Sequence, residues 1–480
     1  MSSRARTGWT FAITALALLM VTLDNLVVTT ALPVIRMELG ASLEGLEWTV
    51  NAYTLTFAVL LLTGAALGDR FGRRRMFVIG LATFTLASAA AALSGSIESL
   101  ILARAIQGAG AAMVVPLSLT LLSAAVSAER RGLALGAWGA VAGLAIALGP
   151  IVGGAITEGL DWHWIFWLNV PIGIVLVPLA RIRLTESRGP SARLDLPGLA
   201  LVSGGLLALV WGIIRGNPDG WTSAGVVASI TIGLILLAGF VAWERYTVAP
   251  MLPLTFFRSR AFSMANLSSL LMYFGMFGSI FLLSQFLQVV QGYSPFQAGL
   301  RVLPWTIAPI FVAPIAGAMS DRIGGGLLMG VGLALQAVGL TWIAIFATPT
   351  VPYEQLVLPF IISGVGMGLF FAPVANVVLS AVRRTEEGKA SGANNAIREI
   401  GGVFGVAVLA SVFSRYGGYQ TPQTFVDGLQ VAIIVGAAVV AVGSLAAFAI
   451  PRAHRATAAA SETVAIGARE LEPVPVPIEG

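Results

Sequence analysis

Fourteen long runs of apolar residues constrain this chain more than any other feature of its sequence. A helix of about 20 apolar residues crosses the roughly 30 Å hydrocarbon core of a bilayer. Because a chain in hydrocarbon must satisfy its own backbone hydrogen bonds, such runs predict helices. The predicted spans are residues 10–34, 47–67, 76–95, 98–122, 132–156, 164–184, 194–214, 222–243, 262–290, 297–319, 327–347, 355–379, 390–413 and 427–450. The sequence therefore predicts an all-α membrane protein with fourteen spans.

The composition excludes a soluble globular protein and several kinds of chemistry. Only 11% of the 480 residues are charged and 57% are hydrophobic, whereas soluble domains carry roughly 25% charged residues. The chain has no cysteine, its two histidines (His163 and His454) lie far apart, and Lys389 is its only lysine. It therefore offers no thiol nucleophile, no histidine metal cluster and no GxxxxGK phosphate loop. We expect neither a metal nor an organic cofactor.

The basic residues predict the orientation of the chain in the membrane. With the N-terminus in the cytoplasm, 22 of the 28 Arg and Lys residues fall in cytoplasmic segments. Only Arg36, Arg215, Arg301 and Arg415 fall on the other side. Cytoplasmic loops of membrane proteins are enriched in Arg and Lys. We therefore predict that both termini are cytoplasmic, and the net charge of +5 gives no reason to expect nucleic acid as a partner.

The two ends of the chain are predicted to differ. Arg4 and Arg6 before an apolar run are compatible with a signal peptide, but no clean cleavage site follows, and we interpret the run as an uncleaved first helix. Residues 451–480 are polar and rich in Ala and Pro. Such a segment cannot bury a core, so it is predicted to be a disordered cytoplasmic tail.

A short motif recurs after the second span of each half. Asp69-Arg70-x-Gly72 follows span 2, and Asp321-Arg322-x-Gly324 follows span 10. Repeated halves are typical of secondary transporters. The repeat predicts an N-terminal six-helix bundle over 8–186, two inserted helices over 187–250 and a C-terminal six-helix bundle over 251–450. The alternative is that this motif is only a common turn flanked by orienting Arg residues.

Four motifs together carry a resemblance to a known family. They are Gly68–Arg75 (GDRFGRRR) after span 2, Arg104–Gly110 (RAIQGAG) in span 4, Gly149, Pro150, Gly153 and Gly154 in span 5, and Leu23-Asp24 with Ala31-Leu32-Pro33 in span 1. Residues 161–173 (DWHWIFWLNVPIG) add to them. With these motifs the chain resembles, over residues 8–450, the major facilitator superfamily and its fourteen-helix drug:proton antiporters. It departs from the family at Ala65 and Ala145, usually Gly, and at Leu26 and Thr29, which bear on ligand preference.

The resemblance implies a fold and a role for each motif. The implied fold is the major facilitator fold, two six-helix bundles plus two extra central transmembrane helices. The span 5 motif would seal a contact between the halves. The repeated loop motif would act as a gating latch through Gly68, Asp69, Arg70, Gly72, Arg73, Asp321 and Arg322. There we expect Asp69 to face the N-terminus of a helix and Arg70 to pair with acidic residues.

Ionisable residues inside the spans are candidates for proton coupling, because charge in a membrane is costly. At a rise of 1.5 Å per residue, Asp24 in span 1 and Arg104 in span 4 are both about 21 Å from the cytoplasmic side and can pair. The resemblance also implies proton coupling through this acid and this Arg. The alternative is a static salt bridge that only locks the N-terminal bundle.

Arg398 and Glu399 in span 13 are the other charged residues that lie well inside a predicted span, away from its ends. They lie about 12 Å above the predicted cytoplasmic end of that span. They are either a second titrating pair or side chains that reach toward water from a helix end.

Polar and aromatic residues within the spans are candidates for lining a central substrate cavity. The alternative is that they hold helices together, as polar side chains do in membranes. They are Tyr53, Gln107, Asn169, Tyr273, Gln285, Gln288 and Asn376, with Phe274 and Phe277 nearby.

These features together predict a bacterial inner-membrane secondary transporter. It would be a monomer that exports small hydrophobic drugs, antibiotics or secondary metabolites in exchange for protons, with the proton gradient as its energy source. One alternative is a proton-coupled uptake symporter of the same fold, against which the span 5 motif argues. Another is a membrane enzyme or sensor, for which the sequence offers neither a catalytic constellation nor a soluble domain.

Overall fold

The structure, a computed structural model, describes residues 3–126, 128–189, 194–383 and 386–451. Except for Pro451, the tail predicted over 451–480 lies outside the described residues. Fourteen helical segments in the described part are long and apolar enough to cross a membrane, which confirms the predicted number of spans.

Helices account for nearly all of the described chain, and they extend a few residues beyond most predicted spans. The sixth span consists of α6 and α7 together, and the ninth consists of α10 followed by a π-helical turn at Phe286–Val290. The helices are α1 (Ser3–Leu39), α2 (Leu43–Phe71), α3 (Arg73–Ala92), α4 (Ile97–Ala125), α5 (Ala128–Gly159), α6 (Trp164–Trp167), α7 (Asn169–Arg183), α8 (Leu196–Asp219), α9 (Ala224–Tyr246), α10 (Arg260–Gln285), α11 (Pro295–Ile323), α12 (Gly325–Phe346), α13 (Glu354–Ser380), α14 (Glu387–Tyr416) and α15 (Pro422–Phe448).

The repeated loop motif has the same backbone conformation in both halves. α2 ends at Gly72 with φ 109° and ψ 125°, and α11 ends at Gly324 with φ 99° and ψ 129°. A positive φ is accessible to Gly without steric cost and is disfavoured for residues with a Cβ atom. The Gly of each motif therefore makes the sharp turn into the next helix, α3 in one half and α12 in the other.

The helices pack as two groups joined by an inserted pair. In the first group α1 packs on α5, and α4 packs on both α2 and α3; in the second, α10 packs on α14, and α13 packs on α11 and α12. α8 and α9 pack on each other, and α8 also contacts α2 and α14, one helix from each group. The boundaries at 8–186, 187–250, 251–450 and 451–480 stay a prediction of the sequence.

The two groups, which we call the halves, also touch where Gly392 of α14 lies against Leu62 of α2, but the hydrogen bonds between the described residues of the two halves gather toward one end of the protein. Because the spans alternate in direction, Ser3 and Phe448 lie at the same end, which we call the terminus end; the other is the distal end. At the distal end Ser284 donates a 2.9 Å hydrogen bond to the carbonyl of Thr29, and Gln288 donates one of 2.9 Å to the carbonyl of Thr30. That the terminus end faces the cytoplasm stays a prediction.

The contact between α5 and α11, which belong to different halves, also lies toward the distal end. Gly154 and the Pro150 carbonyl lie against α11 in the distal half of α5. Toward the terminus end, by contrast, no neighbouring atom of the described residues lies within 4 Å of the place where a Cβ would stand on Gly139 or Gly143. The structure is therefore a state in which the halves are closed on each other at the distal end.

Candidate functional site

The structure brings together the two ionisable side chains that the depth estimate placed at one level. Nη1 of Arg104 on α4 donates a 2.5 Å hydrogen bond to Oδ2 of Asp24 on α1. Both side chains are completely buried. A buried charge needs a partner of opposite sign and further hydrogen bonds, and the surroundings of this pair supply both.

Two amide side chains complete the coordination of the Asp24 carboxylate. Gln107 donates to Oδ1 of Asp24 at 2.8 Å, and Asn169 donates to the same oxygen at 2.7 Å. Gln107 also accepts from Arg104 at 2.7 Å and donates to the hydroxyl of Ser88 at 2.8 Å. Asp24 therefore accepts three hydrogen bonds from side chains of α4 and α7.

Local helix geometry explains why these residues converge. Arg104 and Gln107 are three residues apart and so lie on one face of α4. Asn169 is the first residue of α7 and follows a break in the helix at Leu168. The break points the Asn169 side chain inward, toward Asp24. Gln107 and Asn169, which we interpreted as cavity residues, are instead ligands of the carboxylate.

The guanidinium of Arg104 is also held from a second direction. Its Nε donates to the carbonyl of Thr49 at 3.3 Å, and its Cζ lies 4.2 Å from the ring centroid of Tyr53. Tyr53, also predicted to line the cavity, donates from its hydroxyl to the carbonyl of Val21 at 3.2 Å. Nη2 of Arg104 is buried and has no partner among the described residues. It is the one donor of the group that is free to take a new acceptor.

The chemistry that this cluster can perform follows from its charge balance. An ionised Asp24 is an acceptor for all three donors, whereas a protonated Asp24 must donate one hydrogen bond and no longer balances the charge of Arg104. Protonation therefore changes which partners α1 and α4 prefer. A single buried carboxyl group in this setting can couple the gain of a proton to a rearrangement of helices.

Arg398 and Glu399 lie near the middle of α14 but do not form an ion pair with each other in the described structure. The guanidinium of Arg398 lies 4.6 Å from the ring centroid of Tyr273. Glu399 is 8% exposed, and its Oε2 has no hydrogen-bond partner among the described residues. This geometry fits a buried acid better than a side chain that reaches water from a helix end.

The remaining candidates for the substrate cavity lie in three different settings. Gln288 joins the halves through Thr30, and Gln285 donates to the carbonyl of Phe281 and accepts a 2.5 Å hydrogen bond from the hydroxyl of Tyr419. Asn376 is exposed on α13, and Tyr273 is buried beside Arg398. Gln285 and Gln288 are thus both engaged at the closed distal end in this state, and their role as cavity lining stays a prediction.

The gating-loop candidates Asp69 and Arg70 have different surroundings. Asp69 accepts from the side chain of Arg73, the first residue of α3, at 2.8 Å, and its predicted role toward a helix N-terminus stays a prediction. Arg70, however, has no ion pair among the described residues, and its guanidinium lies 5.2 Å from the ring centroid of Phe71. The predicted pairing of Arg70 with an acid is therefore absent in this state, because the neighbouring carboxylate, Glu186, binds elsewhere in the loop.

Glu186 is the acid that sequence reasoning missed in this loop. It accepts from the backbone N–H groups of Arg74 at 2.9 Å and Arg75 at 3.2 Å, where α3 begins. Backbone N–H groups in the first turn of a helix lack partners within the helix, and a carboxylate satisfies them well. Glu186 follows the sixth span and is 112 residues from Arg74. Nothing in the sequence near the loop motif therefore indicates this contact.

The other half of the repeat is described less fully. Arg322 is exposed, and the side chain of Asp321 lies outside the described residues. Gly68 packs so tightly that a Cβ atom there would overlap the side chain of Leu117 on α4. Small residues that let helices approach closely are common in membrane proteins, so Gly68 has a packing role whatever the loop does.

The span 5 motif lies between two helices of opposite halves. Cβ atoms at Gly149 and Gly153 would overlap Leu26 and Val27 of α1. On the other side of α5, a Cβ atom at Gly154 would overlap the backbone of Pro295 in α11, and the Pro150 carbonyl lies against Gly299. The motif therefore permits close approach of α5 to α1 and, across the interface between the halves, to α11.

A surface group at the distal end also has the side chains of a cation site. Ligand atoms of Glu38, Asp161 and His163 lie within 4.8 Å of one another. Trp162 donates to Glu38 at 2.7 Å, and the His163 ring contacts Asp161. Although partial burial acts the other way, hydrogen bonds from the backbone and ring of His163 hold the pKa of Asp161 below its usual value. These side chains lie near the surface and already bond to one another. Their contacts account for the arrangement, and we assign no cation to it.

Comparison with known proteins agrees with the architecture. The model of the Major Facilitator Superfamily matches residues 14–283 and 265–476. Among solved structures, a peptide transporter described as an auto-inhibited member of the POT family matches with a TM-score of 0.69 at 15% identity, over 94% of this chain and 97% of that one. The human organic anion transporter MFSD10 matches with a TM-score of 0.60 at 16% identity, over 93% and 100%. At such identities the likeness concerns the fold alone.

Relatives of known name are more similar in sequence. The tetracenomycin C resistance and export protein of Streptomyces glaucescens is 32% identical over 88% of this chain and 79% of its own length. The methylenomycin A resistance protein of Bacillus subtilis is 33% identical over 93% and 95%. The cephamycin export protein of Amycolatopsis lactamdurans is 38% identical over 86% and 85%. Each is named for resistance to an antibiotic or for export of one.

Proposed function

Because the chain belongs to the Major Facilitator Superfamily, we propose that it is a proton-driven antiporter that exports hydrophobic antibiotics or other drugs from a bacterial cell. Its relatives are named for antibiotic export and resistance, which supports outward transport of such compounds. Its fourteen apolar helices make it a multi-pass membrane protein. We propose the bacterial inner membrane as its location, and a monomer as the working unit.

The observation that carries this proposal is the buried Asp24 and Arg104 pair, with Gln107 and Asn169 on the same carboxylate. A static lock needs only the two charges. This carboxyl group also binds two neutral amides, which hydrogen-bond to either form of an acid. Asp24 therefore keeps partners in both protonation states, as a proton carrier must.

The proposed cycle links that proton to the alternation of the halves. When Asp24 takes a proton from outside the cell, the Arg104 guanidinium loses its counter-charge but keeps Thr49, Gln107 and the Tyr53 ring as neighbours. Such a change of partners shifts the balance between two packed arrangements. The distal-closed state would then release the proton to the cytoplasm and take up the drug there. Glu399 is the proposed second proton site.

An imposed pH gradient tests the direction of transport. In inside-out vesicles from cells that express the protein, an acidic lumen should drive tetracenomycin C, methylenomycin A or cephamycin into the lumen as protons leave it. A symporter would instead lose drug from the lumen under the same gradient. Asp427→Asn, which changes an exposed acid at the distal end, is the matched control and should transport like the wild type. Movement of every tested drug independent of the gradient would rule out proton coupling.

A further inference from the structure

The distal part of α2 buries two polar side chains that lack partners. Glu47 is 4% exposed, and its Oε2 makes no hydrogen bond among the described residues. Asn51, one helical turn further along, is completely buried, and neither its Nδ2 nor its Oδ1 has a partner. Buried polar groups in folded proteins are nearly always hydrogen-bonded. Two adjacent exceptions on one helix therefore call for a functional explanation.

Both side chains lie on the surface of α2 that meets the other half. Glu47, Asn51 and Leu55 recur every four residues and so share one face of the helix. Leu55 packs in one cluster with Val210 of α8, in the inserted pair, and with Val403 of α14. Because α2 packs on both α14 and α8, this face of α2 turns toward the other half and the inserted pair, and Glu47 and Asn51 are buried there while the distal end is closed.

A cleft of about 430 Å³ opens to the surface just beyond Glu47. It is lined by Leu43, one turn before Glu47 on α2, and by residues of both halves: Arg36 of α1, Phe413 and Ser414 of α14, and Tyr419 in the loop after α14. The charge of Glu47 is near enough to act on the phenol of Tyr419. The cleft therefore comes within one turn of α2 from Glu47, although Glu47 itself does not line it.

The charged groups around Glu47 are all engaged with other partners. Arg36 lies 3.3 Å from the ring centroid of Tyr419. Glu44, on the preceding turn of α2, pairs with Arg215 of α8 at 3.2 Å. On the opposite face of α2, Arg104 of α4 is bound to Asp24. Among the described residues, no cation lies within ion-pair distance of Glu47.

The phenol of Tyr419 does not replace a cation. Burial holds the pKa of Tyr419 above its usual value, although Arg36 acts in the other direction. The phenol is therefore a neutral donor, and its hydrogen goes to Oε1 of Gln285. Tyr419 thus offers Glu47 neither positive charge nor a free hydrogen.

An ionised carboxylate buried without a cation is strongly disfavoured, whereas a protonated one is tolerated. The closed distal end therefore accommodates Glu47 only with a proton on it, and the open end, where water reaches the side chain, accommodates either form. We propose that Glu47 is a proton-operated latch of the distal gate: the gate closes when Glu47 takes a proton from the medium on that side. This inference rests on the proposed transport cycle, but the latch proton returns to the same medium when the gate reopens.

The latch can be tested without any substrate. The chain has no cysteine, so spin labels can be attached at Leu93→Cys in one half and Gln423→Cys in the other, both exposed at the distal end. In lipid nanodiscs, the population with the short label distance should rise as the pH is lowered. Glu47→Gln, which keeps the shape but cannot ionise, should give the short distance at every pH. Glu47→Asp should restore the pH dependence if the amide variant folds poorly.

Two controls make the test specific. Glu44→Gln changes an acid one turn away that already has a cation partner, and it should respond to pH like the wild type. In an Asp24→Asn background the response should persist, because the latch acts independently of the transported proton. A full pH response in Glu47→Gln would overturn the proposal. So would loss of the response in Asp24→Asn alone, and that result would leave the proposed antiport through Asp24 intact.

Discussion

Gly299 of α11 lies against the carbonyl oxygen of Pro150 of α5, so closely that a Cβ atom on Gly299 would overlap that oxygen. The two residues belong to different halves, and the contact is made of backbone. Backbone cannot move aside as a flexible side chain can. This contact therefore depends directly on how closely the halves approach each other at the distal end.

Gly299→Ala should weaken the closed distal end without unfolding the protein. Overpacking costs typically about 1–3 kcal/mol, which corresponds to a roughly 5–150-fold change in the balance between two states. We expect drug efflux in vesicles to fall accordingly while the amount of protein in the membrane stays unchanged. Gly143→Ala is the matched control, since no neighbour in the described part of the chain lies within 4 Å of a Cβ atom there. Equal efflux by the two variants would contradict a gating role for the α5 and α11 contact.

Asp24→Asn should abolish export driven by a pH gradient while substrate binding remains measurable. The amide keeps the shape of the side chain and its hydrogen bonds with Gln107 and Asn169, but it cannot carry a proton. Asp24→Glu should be the best-tolerated change because it keeps a titrating group. Efflux against an imposed gradient and equilibrium binding of the same drug are the two measurements. Full gradient-driven export by Asp24→Asn would move the proton site to Glu399.

Arg104→Gln should destabilise the protein, and a second change should restore stability but not transport. Removing one partner of a buried ion pair costs about 3–5 kcal/mol because the other charge is left alone. Asp24→Asn combined with Arg104→Gln removes both charges and should recover most of the thermal stability in detergent. If the pair were only a static lock, the double variant would also recover drug export. That recovery is the result that would end the coupling assignment.

Asp69→Asn should slow transport while the protein remains inserted and folded. The change removes the charge that receives Arg73 at the start of α3, but it leaves the lipid-facing surface of the helices as it is. Efflux should be compared at matched expression with Glu98→Gln, an exposed acid in the first turn of α4. If Asp69→Asn exports drug at the wild-type rate, the gating role is contradicted and the loop motif serves only to orient the chain in the membrane.

The orientation of the chain can be read from two inserted tags. A tag near Ser187 should be reachable only from the cytoplasm, and a tag near Pro218, one helix further along, only from outside. The physical reason is the concentration of Arg and Lys in segments on the terminus side. Reactivity of whole cells toward each tag is the measurement. Finding both tags on one side would contradict the span count between them.

The number, order and approximate bounds of the spans were determined by the sequence alone. In hydrocarbon each helix must satisfy its own backbone hydrogen bonds, so the length of an apolar run sets a span without reference to its neighbours. For the same reason the rise per residue was enough to bring Asp24 and Arg104 to one level. The repeated Gly72 and Gly324 also needed no tertiary information, because a positive φ is a local property of the backbone.

The partners within and between the halves were decided only by tertiary structure. These helices are apolar on nearly every face, so no period in the sequence shows which side of α2 or α10 meets another helix. Rotation and tilt of the packed helices put Gln107 and Asn169 on Asp24, Gln288 on Thr30, and Glu47 in the interface without a cation. Glu186 reaches α3 because α7 packs on α3 and the segment after α7 runs beside the start of α3. Such contacts join residues more than 80 positions apart and depend on how all the helices pack together, which no single span encodes.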